Sequence, residues 1–170
     1  MVRKLVLLLV TSGAATIGVV LPAGASTPAS FTLTSGTLSI SAPTAGVSLG
    51  TQVASTTSST MSGSLGAVVV SDQRGGPTTW TASVISTAFT ATAGPADPAS
   101  NVSYSAGPIV DSGPVVATAN PVTDLTGVVT VVTGVSTGIS TATWSPTISI
   151  LVPADFAPGV YTATITSSVA

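Results

Sequence analysis

Beyond a short polar lead at Ser26–Ser30, apolar and polar residues alternate with a period of two. No stretch repeats its apolar residues at helical spacing. Leu38 and Ile40 alternate with Thr37, Ser39 and Ser41. Trp80, Ala82 and Val84 alternate with Thr79, Thr81 and Ser83. Ile148, Ile150 and Val152 alternate with Thr147 and Ser149, and Tyr161, Ala163 and Ile165 with Thr162, Thr164 and Thr166. Successive side chains of a strand point to opposite faces, so each run predicts a strand with one face turned inward. Leu65 to Val70 and Val128 to Val132 are apolar on both faces and predict strands buried on both sides.

Turn formers punctuate these runs: Ala42-Pro43, Gly75-Gly76-Pro77, Gly94-Pro95, Asp97-Pro98, Gly107-Pro108, Asn120-Pro121 and Pro158-Gly159. Short strands at this spacing predict an all-β fold, an antiparallel β-sandwich of Ig-like or jelly-roll-like form. The Ser/Thr-rich stretch 51–64 predicts a surface loop or a polar edge strand. Residues 94–126 hold five Pro and three of the five Asp, and predict long loops with one or two short strands. In the last third, the pattern predicts a strand over 148–152 and a connection over 153–159 whose Phe156 plugs the end of the core. A final strand is predicted over 160–168.

The N-terminus follows a different pattern. Arg3 and Lys4 precede an apolar run that begins Leu5-Val6-Leu7-Leu8-Leu9-Val10 and continues to Leu21. Pro22 then precedes the small-residue pattern Ala23-Gly24-Ala25. Residues 1–25 are therefore expected to be a cleavable secretory signal peptide, with an uncleaved membrane anchor as the alternative. Residues 26–170 are expected to be a single domain, with no membrane span once the signal is removed.

Charge is scarce. Only 5% of the chain is charged, against about 25% in ordinary soluble domains. There are three Lys+Arg, five Asp+Glu, no His and no Cys; all five acids are Asp. Without imidazole or thiolate there is no zinc, haem or iron–sulfur ligand set, and no Ser-His-Asp or Cys-His nucleophile. Three cations cannot neutralise a nucleic-acid backbone. The composition is not that of a disordered chain, because 44% is hydrophobic and the mean hydropathy is +0.69. No cofactor, catalytic residue or metal is expected. A calcium site assembled through space from Asp97, Asp111 and Asp124 is a minor alternative. So is glycan hydrolysis by an Asp pair. Asn101-Val102-Ser103 fits a glycosylation sequon, a pattern short enough to arise by chance.

Loss of the signal peptide would leave Arg74 as the only cation. Asp72 and Arg74 lie two apart at a predicted strand end beside Gly75-Gly76, where a local ion pair closing the turn is the first reading and anion binding the second. Trp80 alternates with Ala82 and Val84, so core packing comes first and a ligand contact second. Trp144, before Ser145-Pro146 at a strand start, is expected to be partly exposed. Tyr161 is read as a core residue with its hydroxyl satisfied near a sheet end. These five residues are the binding candidates.

Several segments together resemble a WxL-type cell-surface domain, in the form seen in secreted actinobacterial proteins. They are Phe31-Thr32-Leu33 with Gly36-Thr37-Leu38-Ser39-Ile40, then Leu65-Gly66-Ala67-Val68-Val69-Val70-Ser71-Asp72-Gln73-Arg74-Gly75. Trp80-Thr81-Ala82-Ser83-Val84 and Phe89 follow, and then Trp144-Ser145-Pro146 through Tyr161-Thr162-Ala163-Thr164-Ile165-Thr166. The likeness spans the chain after the signal peptide, with departures at the name-giving motifs. The first Trp-x-Leu reads Trp80-Thr81-Ala82, and the second is replaced by Ser167-Ser168-Val169. The resemblance implies a secreted domain of the Gram-positive envelope, held non-covalently to peptidoglycan or other cell-surface proteins, without catalysis. The alternative is a structural subunit of a surface layer or fibre that self-associates by strand pairing, because strand edges without Lys are poorly protected.

Overall fold

The computed structural model describes Gly24 and residues 26–170; apart from Gly24, the expected signal peptide lies outside the described residues. Residues up to Leu33 and residues from Thr34 onward are separate units. In the first, residues 26–33 form neither helix nor strand, and Phe31 and Leu33 are exposed.

The unit from Thr34 to Ala170 is all-β, with every strand pair antiparallel. Its strands are β1 Leu38–Ser41, β2 Ser59–Ser64, β3 Val68–Asp72, β4 Thr78–Ser86, β5 Val102–Ser105, β6 Ile109–Ser112, β7 Val115–Ala119, β8 Val129–Ser136, β9 Ser140–Trp144, β10 Thr147–Val152 and β11 Ile165–Val169. They form three sheets, in the orders β1-β3-β9-β6, β2-β10-β5 and β11-β4-β8-β7. Among the described residues no helix is long and apolar enough to cross a membrane.

The first two sheets share three lines of chain. β2 runs into β3 through Leu65-Gly66-Ala67, β9 into β10 through Ser145-Pro146, and β5 into β6 through Ala106-Gly107-Pro108. The interruptions lie at one level, since the Leu65 N–H donates to the Pro146 carbonyl at 2.9 Å. Pro108 and Pro146 have no N–H for the ladder. Gly66 (φ 88°) and Gly107 (φ 70°) adopt the left-handed region that a side chain disfavours. Three lines of chain thus pass together from one sheet to the next, an arrangement consistent with one broken layer of a sandwich facing the third sheet.

All three sheets feed one core. Val70 and Trp144 come from the first, Tyr104 and Ile148 from the second, and Trp80 and Val132 from the third. The alternation read from the sequence holds at Trp80, Ala82 and Val84, all buried. Two expectations need correction. β3 buries Val68 and Val70 while Val69 is only half-buried, so the strand has one core face. In β8 a bulge opposite Ala82/Ser83 leaves Val131 out of register, which turns both Val131 and Val132 inward. The two-sided apolar run reflects this bulge rather than a strand sandwiched on both faces. Residues 94–126 hold β5, β6 and β7, more strand than their Pro and Asp content suggested.

Candidate functional site

The Asp72 carboxylate is 1% exposed, at the end of β3. Arg74 grips it bidentately, Nε to Oδ1 at 2.9 Å and Nη2 to Oδ2 at 2.9 Å. The Arg74 backbone N–H donates to Oδ1 at 3.1 Å and the Thr78 hydroxyl to Oδ2 at 2.8 Å. These donors lower the Asp72 pKa to about 2, the Arg74 side chain contributing most, against burial that acts the other way. The carboxylate in turn raises the pKa of Arg74. Nη2 also donates to the Thr79 carbonyl at 2.9 Å, so the pair ties the end of β3 to the start of β4. The guanidinium is already engaged by protein oxygens at both ends of this clamp.

Both tryptophans are 2% exposed. Trp144 is therefore not the partly exposed residue expected from its place before Ser145-Pro146: its indole N–H donates to the buried Tyr104 hydroxyl at 2.9 Å, and the pair packs inside the core. Burial raises the Tyr104 pKa, with the Trp144 hydrogen bond opposing. Trp80 lies opposite Gly134 and its Nε1 is buried with no hydrogen-bond partner. Neither indole offers a face for stacking a sugar ring.

Tyr161 stands elsewhere, and it leads to a large recess. A groove of about 910 Å³ runs between residues 46–55 on one side and the segment from Ile150 to Ala163 on the other. This lies within the range of small-molecule and peptide sites. The Tyr161 and Phe156 rings meet in its wall at 5.0 Å between centroids, and the Tyr161 hydroxyl donates to the Ala157 carbonyl at 3.0 Å. Both rings are half-buried, so Phe156 lines the groove rather than plugging the core. The Asp155 N–H donates to the Ser55 carbonyl at 2.8 Å and joins the two walls.

Phe89, Ile150 and Asp97 are buried residues that also line the groove. Asp97 is 2% exposed and is held by reciprocal backbone hydrogen bonds with Phe89 at 2.8 and 2.9 Å. Its Oδ1 accepts from the Asn101 side-chain amide at 2.6 Å. The sequon asparagine thus spends its amide on Asp97. Asp111 accepts from the Ala117 N–H at 3.0 Å and Asp124 from the Thr126 N–H at 2.8 Å, the latter contact lowering the Asp124 pKa. Asp97, Asp111 and Asp124 are thus committed to separate local contacts. Among the described residues no group of acids is placed to hold a metal ion.

Of the five sequence candidates, Tyr161 alone lines this groove. Phe156 and residues 46–55 carry no site expectation from the sequence, and Asp97 carries one only as a calcium ligand with Asp111 and Asp124, not as part of a groove. The one sequence signal was the cluster Pro153…Phe156…Pro158-Gly159…Tyr161, which marks a turn rich in aromatics. Comparison with protein-family models, with curated proteins and with solved structures found no significant match to this chain.

Proposed function

We propose that this protein is an exported β-sandwich of the Gram-positive cell envelope, Ig-like or jelly-roll-like in form, that binds the cell wall or other surface proteins non-covalently and without catalysis. The observation that carries the proposal is the groove. It is a large recess with an aromatic pair in its wall, in a domain whose only described cation is already spent in a clamp. The signal-like N-terminus and the likeness to WxL-type domains supply the location: secretion, followed by retention at the wall. Attachment then works through shape, apolar contact and hydrogen bonds from Ser, Thr and backbone groups. Residues 26–170 mixed with purified Gram-positive walls that retain their surface proteins should sediment with the walls. Recovery only in the supernatant would contradict the proposal.

A second reading, assembly into a surface layer or fibre, has one observation in its favour. On the outer face of the third sheet, Val116 pairs with Val135 and both are exposed, beside a row formed by Thr118, Thr133 and Thr81. This face carries no charge. Light scattering at high protein concentration separates the two readings: a strict monomer argues against assembly.

A further inference from the structure

Asp97 poses a problem of charge. Its carboxylate is almost fully buried, yet the only cation among the described residues, Arg74, is bound to Asp72. A buried carboxylate without a counter-charge is costly unless something neutralises or hydrogen-bonds it. Asn101 supplies one hydrogen bond, to Oδ1; among the described residues Oδ2 receives none. The residue lines a mostly apolar recess with Phe89, Ile150 and Val152, in which Ser and Thr such as Ser59 and Thr162 also take part.

The wall facing this floor is also incomplete. Residues 46–55 line the groove without belonging to a strand, and among the described residues the backbone of 46–54 makes no backbone–backbone hydrogen bond. Apart from the Gly50 N–H, which donates to the Ser48 hydroxyl at 3.3 Å, this leaves N–H and C=O groups beside the trough without a partner among the described residues, which an extended peptide can pair with when it binds by strand addition. A carboxylate at the bottom of such a trough selects the side chain that brings an apolar stem and a cationic tip. Lysine fits, because its methylenes can lie along apolar walls while the ammonium reaches an anion.

We infer that the groove binds an extended segment of a partner surface protein, pairing its backbone with residues 46–54 and placing a lysine ammonium against Asp97. This rests on the groove being the binding site of the proposed envelope protein, and it names the chemistry of the partner.

The test uses residues 26–170 and two synthetic peptides, acetyl-Val-Thr-Lys-Thr-Val-amide and its norleucine counterpart, which keeps the stem and removes the charge. Calorimetry should show the lysine peptide binding about tenfold more tightly, as expected for a hydrogen bond to a charged group. Amide shifts should move at residues 46–54 and at Asp97. Asp97→Asn should abolish the difference between the peptides. Equal binding of the two peptides to the unaltered protein overturns the inference, and this comparison does not depend on how the variant folds. Absence of peptide binding also overturns it. Walls stripped of protein by protease should not displace the lysine peptide; displacement would overturn the assignment to a protein segment. Sedimentation with untreated walls, measured in parallel, reports on the envelope function separately. A protein that sediments yet ignores lysine refutes the inference alone.

Discussion

Gly134 on β8 lies directly opposite Trp80 on β4, and a Cβ built at Gly134 would fall within the indole ring. The glycine is there for space: it lets a large aromatic lie flat against the backbone of the neighbouring strand. Replacing glycine by alanine in a strand ordinarily gains about 0.5–1 kcal/mol by restricting the unfolded chain. Here overpacking should win. Gly134→Ala is expected to lose about 1–3 kcal/mol, read as a lower urea midpoint with an altered tryptophan emission. An unchanged or raised midpoint would show that the indole does not occupy that space.

The two buried tryptophans should respond differently to the same substitution. Trp144→Phe removes the donor to the Tyr104 hydroxyl and strands that oxygen in the core. Trp80→Phe removes an N–H that has no partner. Both leave similar voids, so the hydrogen bond decides the difference. Trp144→Phe should cost about 1 kcal/mol more than Trp80→Phe by chemical denaturation. The reverse order would contradict the placement of the two indoles.

Acid should expose the Asp72–Arg74 clamp. The Asp72 pKa is lowered from 3.8 to about 2 in the folded protein. A depressed carboxylate contributes stability that is fully present above its unfolded pKa and is lost as pH falls through the folded one. The window is therefore from just above pH 3.8 down to about pH 2, and the contribution is about 2 kcal/mol at most. The Asp124 pKa is shifted in the same direction by its contacts with Thr126 and adds to the slope. Thermal unfolding across this window should steepen in the parent protein and flatten in Asp72→Asn. A variant with the parent slope would remove the clamp as the cause.

Much of the β-architecture was legible because one physical rule, burial of alternate side chains, operates locally. Trp80, Ala82 and Val84 follow it, as do Ile148 and Ile150. Of the loop or polar edge strand expected within 51–64, the edge strand is found as β2, which pairs with β10 along its whole length. Reading failed where long-range partners decide. β6 and β7 hold together partly through the Asp111 carboxylate on the Ala117 N–H. The Val131 bulge mimics a two-sided strand in sequence. The Asp72–Arg74 contact was readable, because residues two apart at a strand end meet. The groove was not, because its walls lie some hundred residues apart in the chain and Asp97 belongs to neither.

The central claim is that this domain holds to the envelope through its groove. Cosedimentation of residues 26–170 with purified Gram-positive walls, surface proteins retained, tests it most directly when a groove variant is run alongside. Val152→Glu sets a second carboxylate in the apolar trough at the exposed end of β10. The parent protein should pellet with the walls, and the variant, shown to be folded by its near-ultraviolet spectrum, should remain in solution. A parent protein that stays in the supernatant, or a folded variant that pellets equally well, would contradict the claim.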